Sequence, residues 1–206
     1  NPTFAQFFFI HEHFARYLTK VHQREGAWWY YLPLLLGGML PWTSALPWLG
    51  PRRAGDAPPR GVAPADFLFV HSVFILLFFS ASGSKLPSYI LPMFPALALL
   101  ISLRLQQASP RVLHRHLLVP ILLWSVALLA STQSARMASH STPAEVVAQL
   151  GAGVRWGAVV FLAFAAFAWW ALRRRGVTLA VVGLAFGHLI AITIVMAAHD
   201  AYGQLK

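Results

Sequence analysis

The sequence predicts an all-α, polytopic integral membrane protein, and three observations carry that prediction. First, 58% of the 206 residues are hydrophobic and only 11% are charged, whereas a soluble domain carries charge on about a quarter of its residues. Mean hydropathy is +0.61. Such a chain cannot cover a water-exposed surface with charge, and disorder would need the opposite balance of low hydrophobicity and high charge. Second, the apolar residues gather into six uncharged runs, at 28–48, 67–84, 88–103, 117–135, 156–172 and 177–198. A bilayer-spanning helix needs about 20 apolar residues, and the first and last runs meet that comfortably. Third, none of the runs alternates in polarity over about ten residues, as the strands of a membrane barrel would.

Taken in order, the elements start with an amphipathic helix over residues 1–27. Asn1 suits a helix cap and Pro2 the first turn. Phe4, Phe7, Phe8, Phe14, Leu18 and Val21 share one face, while Glu12, Arg16 and Lys20 follow one another at four-residue steps on another. This pattern predicts a helix lying in the membrane interface. Trp28, Trp29, Tyr30 and Tyr31 follow as an aromatic anchor where the first span, 28–48, enters the bilayer. A Pro-, Gly- and Arg-rich connector occupies 49–66, and the second span, 67–84, follows it. A tight loop over 82–88 leads into the third span, 88–103, which is short and holds Pro92 and Pro95, so a disturbance is expected near its start. After the fourth span, 117–135, Thr142-Pro143-Ala144-Glu145 forms a capping-box pattern. It predicts a short surface helix ending near Gly151, ahead of the spans 156–172 and 177–198.

Charge sets orientation. Sixteen Lys and Arg oppose six Asp and Glu, a formal charge of +10. In a soluble protein that excess would suggest nucleic acid; between apolar runs it sets topology and meets anionic lipid instead. Arg52, Arg53, Arg60, Arg104, Arg111, Arg115, Arg173, Arg174 and Arg175 fall on one side of the alternating spans. Lys85, Arg136, Arg155 and Lys206 fall on the other. The positive-inside rule puts the nine in the cytoplasm and faces residues 1–27, Lys85 and the C-terminus outward. No cysteine is present, so thiol chemistry and disulfides are excluded. The chain opens on Asn1 without a signal-peptide pattern and reads as the later part of a longer protein.

Two stretches hold residues suited to chemistry. His11-Glu12-His13 invites a metal reading, but the zinc-protease pattern needs a second His four positions on, and position 15 is Ala. On a helix His11 and His13 diverge by about 200°. The stretch is either part of an interfacial helix with a Glu12–Arg16 pair or the source of one metal ligand, completed from elsewhere. In Ser84-Lys85-Leu86-Pro87-Ser88-Tyr89, Lys85 is the only charge between two spans and Tyr89 lies one helical turn beyond it. Either Lys85 reaches up to lipid headgroups and Tyr89 anchors the span, or the two form a phosphate site, the lysine as a point charge and the tyrosine as hydroxyl donor. His71 and His188 fall in or near apolar spans, where a neutral His packed between helices is the ordinary case. No convincing catalytic base is found, since neither Glu12 nor Glu145 has a second carboxylate nearby.

Two motifs together resemble one family. They are Phe8-Phe9-Ile10-His11-Glu12-His13-Phe14-Ala15-Arg16-Tyr17, running on to Trp28-Trp29-Tyr30-Tyr31 and Leu40-Pro41-Trp42, and Ser82-Gly83-Ser84-Lys85-Leu86-Pro87-Ser88-Tyr89-Ile90-Leu91-Pro92. Both are similar to membrane glycosyltransferases of the GT-C fold, related to bacterial aminoarabinose transferase and to dolichyl-phosphate-mannose–protein mannosyltransferases. The resemblance covers about the first hundred residues. It implies a multi-span enzyme of the bacterial inner membrane that takes a sugar from a polyprenyl-phosphate donor on the outer face, for a lipid A, protein or glycan acceptor. It further implies that Arg16, Lys85 and Tyr89 surround the donor phosphate and that His11 helps hold a divalent metal. The family's catalytic Asp would lie in an N-terminal half that these residues do not include, so the 206-residue chain is expected to be inactive alone. The competing expectation, half of a transporter or flippase for lipid-linked sugars, would place ion or substrate groups near the midplane, where only His71 and His188 are titratable.

Overall fold

The computed structural model describes Phe4, Phe7 and residues 26–50, 63–105, 108–138 and 143–203. The expected interfacial helix, with His11 and Arg16, thus falls outside the described residues apart from Phe4, Phe7, Gly26 and Ala27. Among the described residues there is no strand. The described residues form six α-helices: α1 Tyr31–Gly38, α2 Pro64–Ala81, α3 Met93–Leu105, α4 Pro110–Ser131, α5 Ala144–Arg174 and α6 Val177–Gly203. Five described segments are long and apolar enough to cross a membrane: Pro64–Ala81, Pro87–Leu105, Pro110–Ser131, Ala144–Arg174 and Val177–Asp200.

The chain divides into two compact units, residues 1–39 with 45–107 and residues 40–44 with 108–206. The run 28–48, of which 40–44 belong to the second unit, is not one continuous helix. α1 ends after Gly37-Gly38, and a 3-10 segment, Thr43–Leu49, follows with Pro47 inside it. Two glycines weaken the helix, and Pro41 and Pro47 bring no N–H to continue it. α2 opens with Pro64 in its first turn and Asp66 facing the positive end of the helix dipole. Its Phe67, Val70, Phe74 and Leu77 remain exposed, as side chains directed at lipid do. α2 pairs with α3, which buries Ala96, Leu97, Leu100, Ile101 and Leu105. The prolines of the third run act where expected. A 3-10 turn, Pro87–Ile90, precedes α3, and Pro95 falls in the first turn of α3, where its missing N–H costs nothing. The Arg104 Nη2 donates to the Gly50 carbonyl at 2.9 Å and fastens the end of α3.

The second unit is a bundle of α4, α5 and α6. α4 buries Leu113, Leu117, Pro120 and Trp124, a stripe at steps of three and four. Ser44 lies 3.1 Å from the His116 Nδ1 and donates to the His116 carbonyl at 3.3 Å, which holds the 40–44 segment on α4. α5 and α6 form the most extensive pairing in the chain. Glycines permit it: a Cβ at Gly157 would sit 2.9 Å from the Ala191 carbonyl oxygen, and one at Gly153 would collide with Ala198. Close backbone approach through small residues is how helices associate where no water drives them together.

The short surface helix expected to stop near Gly151 is instead the start of α5, which runs unbroken for 31 residues. Gly151 serves as a contact and does not end the helix, because a side chain there would collide with Ser134. The true stop is Gly176, with φ of 105°. Its N–H and that of Arg175 both donate to the Ala171 carbonyl, at 2.9 and 2.8 Å, a left-handed C-terminal cap that a glycine adopts without steric cost.

Candidate phosphate site at Lys85

The loop after α2 positions Lys85. Ala81 ends the helix, Ser82 turns extended at φ −62° and ψ 143°, and the Ser82 hydroxyl both donates to the Ser84 carbonyl and accepts from the Ser84 N–H, each at 3.2 Å. This knot folds the chain back, so that Lys85 meets the helix it has just left. Its Nζ donates to the carbonyls of Phe79 at 2.9 Å and Ser80 at 2.6 Å. Those carbonyls belong to the last turn of α2, the negative end of the helix dipole, where a cation is favoured.

Lys85 is only 5% exposed. Its ammonium stands 5.5 Å from the centre of the Tyr31 ring, an attractive cation–π arrangement. Tyr31 is fully buried, and its hydroxyl accepts from the Leu86 N–H at 3.2 Å, so one aromatic side chain supports both the ammonium and the next peptide unit. Gly26 leaves room for the lysine stem, since a Cβ there would approach the Lys85 Cγ to 2.7 Å. Burial pushes the Lys85 ammonium below the usual lysine range.

An ammonium has three N–H bonds. Two are engaged by neutral carbonyls, and no carboxylate among the described residues pairs with the charge. A buried cation without a counter-ion is costly, and the cost falls when an anion is brought to it. The remaining N–H is suited to an anionic oxygen. Tyr89 stacks on Phe79 with ring centres 4.8 Å apart, so Lys85 and Tyr89 meet at the same residue, the one through its carbonyl and the other through its ring. The Ser84 hydroxyl, buried beside them, has no hydrogen-bond partner among the described residues.

The sequence-predicted residues therefore divide. Lys85 and Tyr89 each contact Phe79; His11 and Arg16 lie outside the described residues. No group of three potential metal ligands forms among the described residues. His71 stacks on Phe67, with ring centres 6.1 Å apart. His188 packs edge-on against Trp124 and Phe161, at 6.0 and 5.8 Å. Tyr31 is the residue that sequence reasoning missed. It reads as one more interfacial aromatic, although a tyrosine ending an aromatic run just ahead of a span is also placed to turn its hydroxyl inward.

No protein-family model matches the chain. Over 135 residues the chain is 40% identical to undecaprenyl phosphate-alpha-4-amino-4-deoxy-L-arabinose arabinosyl transferase 2 of Pseudomonas fluorescens (strain Pf0-1), covering 63% of this chain and 24% of that protein. It is 39% identical over 116 residues to the corresponding transferase of Enterobacter sp. (strain 638), covering 55% and 20%. The crystal structure of ArnT from Cupriavidus metallidurans bound to undecaprenyl phosphate matches with a TM-score of 0.83 and 35% identity. That match covers 99% of this chain and 36% of ArnT. Over the matched residues the chain is similar to these arabinosyl transferases.

The GT-C resemblance drawn from the two motifs is thereby borne out, as is the all-α, polytopic architecture. The alternative of a transporter half is not favoured. Similarity to the arabinosyl transferases extends over a limited part of their length: the chain spans about a quarter of the P. fluorescens transferase and about a third of ArnT.

Proposed function

We propose that this chain forms the donor-lipid part of a membrane glycosyltransferase that moves an aminoarabinose-type sugar from undecaprenyl phosphate to lipid A. The observation that carries the reading is the buried Lys85 ammonium, fixed by two neutral carbonyls with an N–H to spare. Support comes from the match to an ArnT structure bound to undecaprenyl phosphate and from relatives named as arabinosyl transferases.

In this reading the phosphate of the donor lipid sits against Lys85, with the Tyr89 hydroxyl as a second donor and Arg16 offering a paired guanidinium contact. When the sugar leaves, the bond from its anomeric carbon to the phosphate oxygen breaks and its electron pair stays on the phosphate. Lys85 and Arg16 stabilise that developing charge. The acceptor hydroxyl attacks the anomeric carbon, and its proton passes to a carboxylate from a part of the protein outside these 206 residues. His11 is proposed as one ligand of a divalent metal. The loop holding Lys85 faces the periplasm, and the nine arginines on the other side face the cytoplasm.

The test is binding of undecaprenyl phosphate to the purified 206-residue chain in detergent, with a dissociation constant for the parent and for Lys85→Met. Saturable binding that is lost in the variant supports the reading. Equal binding by both removes Lys85 from the site. The chain alone is expected to transfer no sugar, and measurable transfer to lipid A by residues 1–206 would overturn the assignment of the base to another segment.

A further inference from the structure

The second unit carries a separate concentration of charge that donor chemistry does not use. At the end of the bundle where α4 starts and α5 stops, Arg111, Arg115, Arg173, Arg174 and Arg175 are all exposed. Packing gathers them. His114, between the two α4 arginines, packs edge-on against Trp169 of α5 with ring centres 4.4 Å apart. The Arg173 guanidinium lies over the same Trp169 ring at 5.7 Å, and that of Arg175 over Trp170 at 6.0 Å. Two neighbouring tryptophans thus hold guanidinium groups over their faces.

Nothing nearby in the unit offsets this charge. Among residues 108–206 the only acidic side chains are Glu145 and Asp200, in the first turn of α5 and near the end of α6. At 1.5 Å per helical residue, each is more than about 30 Å along its own helix from the arginines, well past a screening length of about 8 Å at physiological salt.

Just inside the arginines the surface turns apolar. Phe167, Trp170 and Phe186 are exposed. Leu179 and Val182, in the first two turns of α6, are exposed as well. Cations at one level with exposed aromatic and aliphatic side chains directly beneath match one kind of molecule, an amphiphile with an anionic head and acyl chains. A soluble acidic protein would satisfy the arginines and leave the apolar band uncovered.

We infer that this end of the α4–α5–α6 bundle is a binding site for anionic phospholipid, its headgroup phosphodiester held by Arg173, Arg175 and Arg111 and its acyl chains laid on the apolar band below the tryptophans. Guanidinium groups suit this, since each offers paired N–H donors to phosphate oxygens and remains charged at any pH the protein meets. Stacking on Trp169 and Trp170 restricts the arginines before lipid arrives, so less freedom is lost on binding.

The experiment is native mass spectrometry of the purified 206-residue chain released from detergent after exposure to phosphatidylglycerol or to phosphatidylcholine with the same acyl chains. The parent chain should retain at least five times more phosphatidylglycerol than phosphatidylcholine, and raising salt in the loading step should reduce only the former. The triple variant Arg173→Gln, Arg174→Gln, Arg175→Gln should lose that preference, as should Arg111→Gln with Arg115→Gln on the neighbouring helix. Lysine at positions 173, 174 and 175 should keep part of it. Because these substitutions could alter membrane insertion, the salt response of the unaltered chain stands as an independent reading. Equal retention of the two lipids by the parent, or a preference abolished by Lys85→Met and untouched by the arginine variants, would overturn the proposal.

Discussion

Lys85 and the arginines of α4 and α5 are cations of one apolar chain held in opposite ways. The lysine is buried, hydrogen-bonded to the carbonyl end of α2 and backed by a tyrosine ring. The arginines are exposed, and two of them, Arg173 and Arg175, lie over the faces of two tryptophans. A buried ammonium bound to neutral groups demands an anion at one point and in one orientation. Exposed guanidinium groups at a membrane surface accept whatever anionic lipid is present. Residue type matches each setting, since Lys85 is a compact charge that fits a closed loop, whereas Arg173 and Arg175 combine charge with a planar face for stacking.

The sharpest way to break the contrast is to remove the buried charge. Lys85→Met should weaken undecaprenyl phosphate binding by on the order of 100-fold, about 3 kcal/mol, the scale seen when one partner of a buried charge pair is truncated. The arginine variants should leave that dissociation constant within a factor of two or three. A comparable loss in both would erase the distinction.

pH sharpens the same point. Burial lowers the Lys85 pKa in the free chain, while a bound phosphate favours the charged ammonium and raises it. Between those two values binding takes up a proton. Affinity for undecaprenyl phosphate should therefore be level while the free site is fully protonated and should fall as pH rises through the lowered pKa. Anionic-lipid retention at the arginines should not change over that range, because guanidinium does not titrate there. A titration series on both ligands checks the difference.

Smaller effects test the supports. Gly157→Val places methyl groups against the Ala191 carbonyl, which is backbone and cannot turn aside. It should cost about 1–3 kcal/mol by overpacking, read as a lowered thermal midpoint in detergent, with the Lys85 loop keeping its ligand affinity at temperatures where the chain is folded. Tyr31→Phe keeps the ring under the ammonium but leaves the Leu86 N–H without its acceptor. A loss of about 1–2 kcal/mol is expected, shared between stability and phosphate affinity. Tyr89→Phe should be mildest, under about 1 kcal/mol in donor binding, since stacking on Phe79 survives. A larger loss would move Tyr89 from an auxiliary donor to a principal one.

How much of this was legible in the sequence depends on the range of the interaction. Helices α2 to α6 follow from apolar runs of bilayer length bounded by proline and arginine, and Lys85 and Tyr89 stand out by being polar where the chain turns between spans. The division of 28–48 was written in Gly37-Gly38, Pro41 and Pro47, yet the unbroken apolar character of the run masks such local signals. Gly151 misled because a glycine after a capping box reads as a helix end, and only the neighbouring Ser134 reveals it as a contact. Tyr31 was illegible for the same reason. Its hydroxyl bonds to a peptide 55 positions away, and no periodicity within a helix encodes that.

The unbroken α5 has a mechanical consequence. At 1.5 Å per residue its 31 residues measure about 46 Å, against a hydrocarbon thickness of about 30 Å. With Trp169, Trp170 and the arginines moored at one water boundary, the opposite end must stand proud of the other by a helical margin that does not stretch. α5 is therefore a ruler with one end pinned: in a thinner bilayer the turn at Ala144 rises away from the surface, and in a thicker one it settles toward the headgroups.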